Sequence, residues 1–419
     1  MENILAIDFG TSNSTVGHCP KTGPQLIPIE GAELTIPSAI FFNAEEGRVQ
    51  FGREAVSAYT SHYEGRLLRS LKSVLGSTLL EETTQIGRES ISFKEIIALF
   101  LRHLKASAEG EVQSEFSRVV LGRPVRFVDG DDAKDRHAQS QLESIAQACG
   151  FRTVQFEFEP IAAALNYESG VQAEELALIA DIGGGTSDFS IIKVSARNHL
   201  KVERAEDVLA NSGVHVGGTD FDRALSLSQV MPHLGYGTNQ RERPALKLPS
   251  DVYFDLATWH RIFLLHGEKT ARFLREMQHI AGRPDLVHRL TRVIREHSGY
   301  QLAADVERAK IGLSALKATE VPFPYIDSEL SVRFEPDQFD DATPDLREKI
   351  RGAIAECIAL SGVNPSAIET LFMTGGTSGI PAVRQACMSA VPRATVIEGD
   401  RFGSVGIGLA ISASLKPEH

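Results

Sequence analysis

Leu176–Val194, LALIADIGGGTSDFSIIKV, is the stretch whose reading decides the fold. An acid, Asp181, stands just before Gly183, Gly184 and Gly185, and Thr186 and a second acid, Asp188, follow them. A phosphate loop of the common kind leads from its glycines into a helix. Here Phe189–Val194, FSIIKV, is short and rich in β-formers, which predicts a strand instead. The segment therefore reads strand, glycine turn, strand: a hairpin with an acid at each end of its turn. Glycines permit positive φ and let a ligand come close to the backbone. Successive amide hydrogens in such a turn form an anion-binding nest, and Thr186 adds a hydroxyl. Asp181 and Asp188 would repel a phosphate unless a divalent cation lay between them, so the arrangement implies Mg2+ together with a polyphosphate.

The N-terminal segment repeats the design. Ile4–Cys19, ILAIDFGTSNSTVGHC, again reads strand, turn, strand. Asp8, Gly10, Thr11, Ser12 and Asn13 echo Asp181, Gly183, Thr186, Ser187 and Asp188. A duplication from position 8 to position 181 predicts two similar halves facing each other, able to clamp one phosphate chain from both sides. A third glycine site follows another plan. Leu371–Val391, LFMTGGTSGIPAVRQACMSAV, reads as a strand, the pair Gly375 and Gly376, and a helix from about Ile380. Such a strand-to-helix turn allows close approach to a ligand, and after two phosphate hairpins it predicts a nucleoside contact.

The 419 residues suggest two or three domains, and 42% hydrophobic residues are enough for a sizeable core. A net charge of −12 argues against a broad nucleic-acid footprint, which would be basic. Cys19, Cys149, Cys357 and Cys387 make no C-x-x-C pair, so a reduced, cytoplasmic setting is expected, with neither a zinc site nor a redox motif. The start, MENILAIDFG, lacks the features of a signal peptide, and no apolar run approaches the roughly 20 residues of a membrane span. The thirteen histidines are scattered and suggest no metal held by protein side chains alone.

Four segments resemble the actin-like ATPase superfamily and, within it, the nucleotide-binding domain of the seventy-kilodalton heat-shock chaperones, the DnaK family. They are Ile7–Ser14 (IDFGTSNS), Glu159–Ala164 (EPIAAA), Asp181–Asp188 (DIGGGTSD) and Gly375–Pro381 (GGTSGIP). Val216–Asp222 (VGGTDFD) and Glu307–Lys310 (ERAK) support them, and the turn Gly122–Phe127 (GRPVRF) looks like the short YegD-type subgroup. The resemblance implies an α/β fold of two lobes, each a mixed sheet with flanking helices, around a nucleotide cleft. Lobe I is expected over 1–175 and lobe II over 176–419, with an outer helical subdomain at about 226–318.

The resemblance also implies roles. Asp8 and Asp181 would hold Mg2+ through its waters. The amides of Gly10, Thr11 and Ser12, with Asn13 beside them, and those of Gly183, Gly184, Gly185 and Thr186 would hold the β- and γ-phosphates of ATP or ADP. Lys72, in SLKSVLG, would point at the γ-phosphate and the attacking water. Glu159 and Asp188 would order the metal shell and that water, and Thr186 would donate to the γ-phosphate. Gly217 and Gly218 would lie near the phosphate chain. Glu307, Lys310 and Ser314 would meet ribose and adenine, with Gly375, Gly376 and Thr377 on the other side. Phosphoryl transfer needs chiefly positioning and charge neutralisation, which a lysine, a metal and backbone amides supply. Considered singly, Lys72 is an ordinary surface lysine and Glu159-Pro160 an ordinary helix start. The constellation is what raises them.

The chain departs from the family in three ways. Ile311 and Gly379 stand where the family sandwiches adenine between two arginines, which implies weaker or less base-selective binding. After Pro381, RFGSVGIGLAISASL (Arg401–Leu415) reads as a closing glycine turn and helix, and no intrinsic peptide-binding domain is expected. The stretch from about 226 to 301 shows helical periodicity, and from Glu268 to Lys310 bases outnumber acids. Solvated helix faces explain that balance, as would a docking surface for an acidic partner, while Thr238–Val252 looks like an exposed loop or a helix-connecting insert. The leading expectation is a slow ATPase that switches with nucleotide state and serves an unknown protein partner or client. A small-molecule kinase and a non-enzymatic nucleotide-sensing scaffold are the alternatives.

Overall fold

The computed structural model describes residues 4–61, 63–86, 89–128, 131–168, 171–198, 201–399 and 403–415. Two large sheets share one strand order. The first contains β1 (Ile4–Asp8), β2 (Asn13–His18), β3 (Gln25–Leu26), β4 (Thr35–Pro37), β5 (Arg118–Arg123) and β6 (Thr153–Phe158). It runs β6-β5-β1-β2-β3, with β4 also on β2. The second contains β7 (Glu175–Ile182), β8 (Ser187–Val194), β9 (Val208–Val214), β10 (Ile368–Thr374) and β11 (Thr395–Glu398), and runs β9-β8-β7-β10-β11. In each sheet a hairpin supplies the first two strands. The leading strand then pairs in parallel with a strand that arrives much later in the chain. This is the actin-like ATPase fold, in mixed α/β form, and both predicted hairpins are present.

The ladders correct part of the expected correspondence between the hairpins. Asp8 lies opposite Thr15, and Asp181 lies opposite Asp188. Thr15, not Asn13, therefore occupies the place of Asp188, and Asn13 stands where Thr186 stands. The echo of Thr11, Ser12 and Asn13 with Thr186, Ser187 and Asp188 follows residue type, whereas the register follows the equal spacing of seven residues from acid to partner.

The central strands form because their apolar runs are covered on both faces, as in parallel sheets generally. Leu5, Ala6 and Ile7 in β1, and Ala177–Ala180 in β7, are buried. The helices Glu159–Glu168 and Ser404–Leu415 follow β6 and β11 and pack on each other, with Gly408 directly against the backbone of Ala162. Their small and apolar side chains join residues of both sheets in one cluster: Ala6 and Val120 from the first, Ile179 and Ile192 from the second, with Ile161 and Leu409 between them. Ser404–Leu415 is apolar almost all round because it is buried almost all round. Glu157 Oε2 of β6 accepts from Ser412 Oγ at 2.7 Å and fixes that helix lengthwise. Arg401 and Phe402, read as part of its leading turn, lie outside the described residues. No helix among the described residues is long and apolar enough to cross a membrane.

The chain divides into two units. The first comprises 1–215, 351–378 and 387–419 and holds both large sheets; the second comprises 216–350 and 379–386. The lobe boundary expected at 175/176 falls inside the first unit, and the helical subdomain expected at about 226–318 falls inside the second. The second unit is built from helices such as Glu268–Ile280, Pro284–Arg295 and Gly299–Gly312, with a hairpin of Thr319–Pro322 and Ser331–Phe334. Tyr253, Ile262, Met277, Val287 and Leu290 are among its buried residues. Residues 238–250 form the expected loop, pinned by bridges of Asn239 with Lys247 and of Gln240 with Ala281.

Candidate active site

The two hairpin turns meet inside the first unit. The second is closed within its own sequence, the Gly183 amide donating to Thr186 O at 2.9 Å. Each is also braced from outside by a hydroxyl donating to the equivalent glycine carbonyl. Ser38 Oγ donates to Gly10 O at 2.7 Å, and Thr377 Oγ1 donates to Gly183 O at 2.8 Å. The Ser38 amide adds a bond to Ser12 O at 2.8 Å. The turns come so close that a Cβ at Gly184 would collide with Ser12 Oγ, while one at Gly185 would rest 3.8 Å from Thr11 Cγ2 in ordinary contact. The glycine at 184 is thus required by close approach. The third glycine turn joins them. Gly375 has φ +81°, and a Cβ there would lie 2.7 Å from Asp181 Oδ1, so its backbone presses against that acid. Gly376 and Thr377 continue in a single helical turn, Gly376–Gly379, before the helix Pro381–Ala390.

Charged groups gather beside these turns. Lys72 lies in the short turn Leu71–Val74, entered through Ser70 at φ 57°. Its Nζ is 2.5 Å from Glu159 Oε1, and both side chains are largely buried. Glu159 is delivered by the end of β6 at the first position of its helix. Burial pushes the Asp8 carboxyl up to about 7, the Glu159 charge adds to the rise, and Lys72 opposes it. Burial likewise pushes Asp181 up to about 8, helped by Glu159, Asp188 and Asp8 and opposed by Lys72. Burial alone would lower Lys72, but the charges of Glu159 and Asp8 outweigh it and hold the ammonium above its ordinary value. Asp188 accepts from Thr186 Oγ1 at 3.1 Å, so the threonine hydroxyl is aimed along the turn. Asp8, Lys72, Glu159, Asp181 and Asp188 therefore form one electrostatic group.

Four carboxylates against one ammonium leave an excess of negative charge in a poorly solvated place, and the raised carboxyls are its signature. A divalent cation fits that donor set. No group of three or more His, Cys, Asp or Glu able to hold an ion directly occurs among the described residues. Two carboxylates acting through water suit Mg2+, which keeps several of its waters.

The remaining predicted residues lie in the second unit. Gly217 caps the helix Gly218–Leu225, its amide donating to Asp220 Oδ2 at 3.0 Å. Lys310 is buried, donates to Gly218 O at 3.0 Å and pairs with Asp222 at 2.9 Å, so its ammonium secures the Gly217–Gly218 turn. Glu307 is exposed and Ser314 half-buried. Ile311 is 59% exposed. Sequence reasoning missed Ser38, which sits in the unremarkable TIPSAI and carries no motif. Nor does the turn GRPVRF announce that a Cβ on Gly122 would lie 3.3 Å from Glu159 Cγ.

The chain thus has the actin-like ATPase fold, with an acid-lined pair of glycine turns at its centre. The family model described as Hsp70 protein matches residues 4–231 and 293–418, and the chain belongs to that family, resembling its DnaK-type nucleotide-binding domain. It is 25% identical to the chaperone protein DnaK of Thermosipho melanesiensis and to that of Thermosipho africanus, each over 99% of this chain and 59% of the relative. It is 26% identical to the chaperone protein DnaK of Thermotoga petrophila, with the same coverage. The chain thus spans about three fifths of the length of these curated relatives.

Proposed function

We propose that this chain binds ATP and ADP with Mg2+, hydrolyses ATP slowly, and uses nucleotide state to switch conformation for a protein partner or client in the cytoplasm. The observation that carries the reading is the buried Lys72–Glu159 pair beside Asp8, Asp181 and Asp188, at the meeting point of the two glycine turns. A bound Mg2+ would neutralise the phosphate chain. Asp8 and Asp181 would hold it through its waters, and the amides of residues 10–12 and 183–186 would bind phosphate oxygens. Lys72 keeps a fixed positive charge where negative charge grows during transfer. Glu159 orients that ammonium and, with Asp188, orders water, which favours water over a metabolite hydroxyl as acceptor.

Phosphate release from ATP, followed with and without Mg2+, tests this reading. Slow, Mg2+-dependent release that disappears in Lys72→Ala while ADP binding persists supports it. Release at the wild-type rate by that variant removes Lys72 from the mechanism.

A further inference from the structure

The helix Glu159–Glu168 carries Glu159 at its first position and is tied to the second large sheet by its last two residues. Tyr167 Oη donates to Glu175 Oε1 of β7 at 2.6 Å. Thr370 Oγ1 of β10, 3.2 Å from the same phenol oxygen, donates to that carboxylate at 2.9 Å. Glu168 accepts two bonds from the guanidinium of Arg204, from Nη1 at 2.9 Å and from Nη2 at 2.6 Å. Arg204 is itself fixed. Its Nε donates to Asp207, which Lys201 also contacts at 3.3 Å, and its Nη2 lies 3.5 Å from Lys193 O of β8. The side chains of Arg204 and Glu168 are 1% and 0% exposed.

A buried ion pair is a poor device for stability, since apolar side chains of similar volume often hold a fold as well. What the fork adds is direction, because a planar guanidinium meets a carboxylate bidentately in a fixed geometry. Direction is useful here. Where the helix meets Ser404–Leu415 the contact is made of small residues, Ala162 against Gly408. Such a contact allows close approach but offers only shallow ridges against sliding. Ten residues of helix make a stiff rod of about 15 Å, so a lengthwise shift at Glu168 reaches Glu159. The contact at that end has little slack: Lys72 Nζ stands 2.5 Å from Glu159 Oε1, and hydrogen bonds of this kind lie within about 3.2 Å. The tail is also bonded to the right partner. β7 starts at Glu175 and carries Asp181 near its end, and β8 carries Asp188 near its start and Lys193 near its end. The helix is thus set against the same hairpin whose tip holds the two acids.

We propose that Arg204 is a positioning residue: through Glu168 it sets the lengthwise place of the helix Glu159–Glu168, and so holds the Glu159 carboxylate on Lys72 and in register with Asp181 and Asp188. Tyr167 is the second anchor of the same clamp. Arg204 sits at the end of the helix opposite Glu159 and acts only through it. The kinetic consequence rests on the hydrolytic function proposed above, whereas the geometric one needs no nucleotide.

The test uses the full chain and the double variant Arg204→Met, Glu168→Leu. Both charges of the pair go together and Asp207 keeps Lys201, so no buried charge is stranded and the fold should persist. Without nucleotide, lysine acetylation by sulfosuccinimidyl acetate is followed by mass spectrometry. Lys72 should label several-fold faster than in the wild type, while the buried Lys310, paired with Asp222, should stay protected. With ATP and Mg2+, kcat for phosphate release should fall at least about tenfold with ADP binding unchanged. A clamp that only stabilised its own end of the helix would move neither Lys72 labelling nor kcat. Should Lys310 label as well, the variant has unfolded, and Arg204→Lys, which keeps the charge and loses the fork, carries the test with the same signs. The proposal is overturned if Lys72 labels at the wild-type rate while Lys310 stays protected, or if the folded variant releases phosphate at the full rate. A wild type that releases no phosphate overturns the hydrolytic function alone, and the labelling then decides the role of Arg204.

Discussion

Ser12 and Gly184 face each other across the tips of two separate hairpins, so close that the glycine leaves no room for a Cβ. The contact brings together two turns that lie far apart in the chain. Gly184→Ala should force them apart, at a cost of about 1–3 kcal/mol if the turns shift to relieve the overlap. It should also weaken ADP–Mg2+ binding by at least tenfold, or about 1.4 kcal/mol. Gly185→Ala meets only an ordinary contact with Thr11 and should leave the unfolding temperature nearly unchanged. Calorimetry on both variants checks the contrast; equal behaviour would show that the tips do not touch in solution.

Removing Lys72 leaves Glu159 without its cation. Breaking a buried pair on one side costs about 3–5 kcal/mol, so Lys72→Ala should lose stability as well as hydrolysis. Adding Glu159→Gln should recover much of the stability and none of the turnover. Thermal unfolding and phosphate release on the single and double variants separate the two effects. Recovery of turnover in the double variant would mean that Lys72 serves only to neutralise Glu159.

The raised carboxyls predict a pH dependence in the metal-free protein. Asp8 and Asp181 move from about 3.8 in the unfolded chain to about 7 and about 8 in the fold. Between those values the folded state holds more protons than the unfolded state, so stability falls as pH rises from 5 to 8. In EDTA the unfolding temperature should drop across that range. Asp181→Asn should flatten the slope and be the more stable protein at pH 8. Parallel slopes for the two proteins would mean that Asp181 is ionised without penalty.

Ile311 and Gly379 offer no guanidinium to a base. Each lost stacking contact is worth about 0.5–2 kcal/mol, so ATP should bind about five- to several-hundred-fold more weakly than in a member with both arginines. Discrimination against GTP should be small, and Ile311→Arg should tighten ATP binding. Isothermal titration showing sub-micromolar ATP affinity and strong preference over GTP would contradict this.

Much of the fold was legible because its signals are local. Asp181, three glycines and the β-rich FSIIKV specify a hairpin within one stretch, and Ile4–Cys19 repeats it. The shared strand order was not legible, since β5 and β10 reach their partners from far along the chain. Comparison by residue type also misplaced Asn13 against Asp188, because only the ladder shows that Thr15 holds that position. The proximity of Lys72 to Glu159 came from the family resemblance; nothing in SLKSVLG announces a buried ion pair. Ser38 escaped notice because bracing a glycine carbonyl needs only a hydroxyl at the right place. Lys310 came from the family resemblance as well, and no motif announces its burial or its bonds to Gly218 and Asp222.

A crystal structure with ADP and Mg2+ tests the central claim most directly. The account predicts the terminal phosphate between the turns at residues 10–12 and 183–186, and a metal whose waters bridge to Asp8 and Asp181. Nucleotide bound away from these turns, or a metal remote from both aspartates, would contradict it.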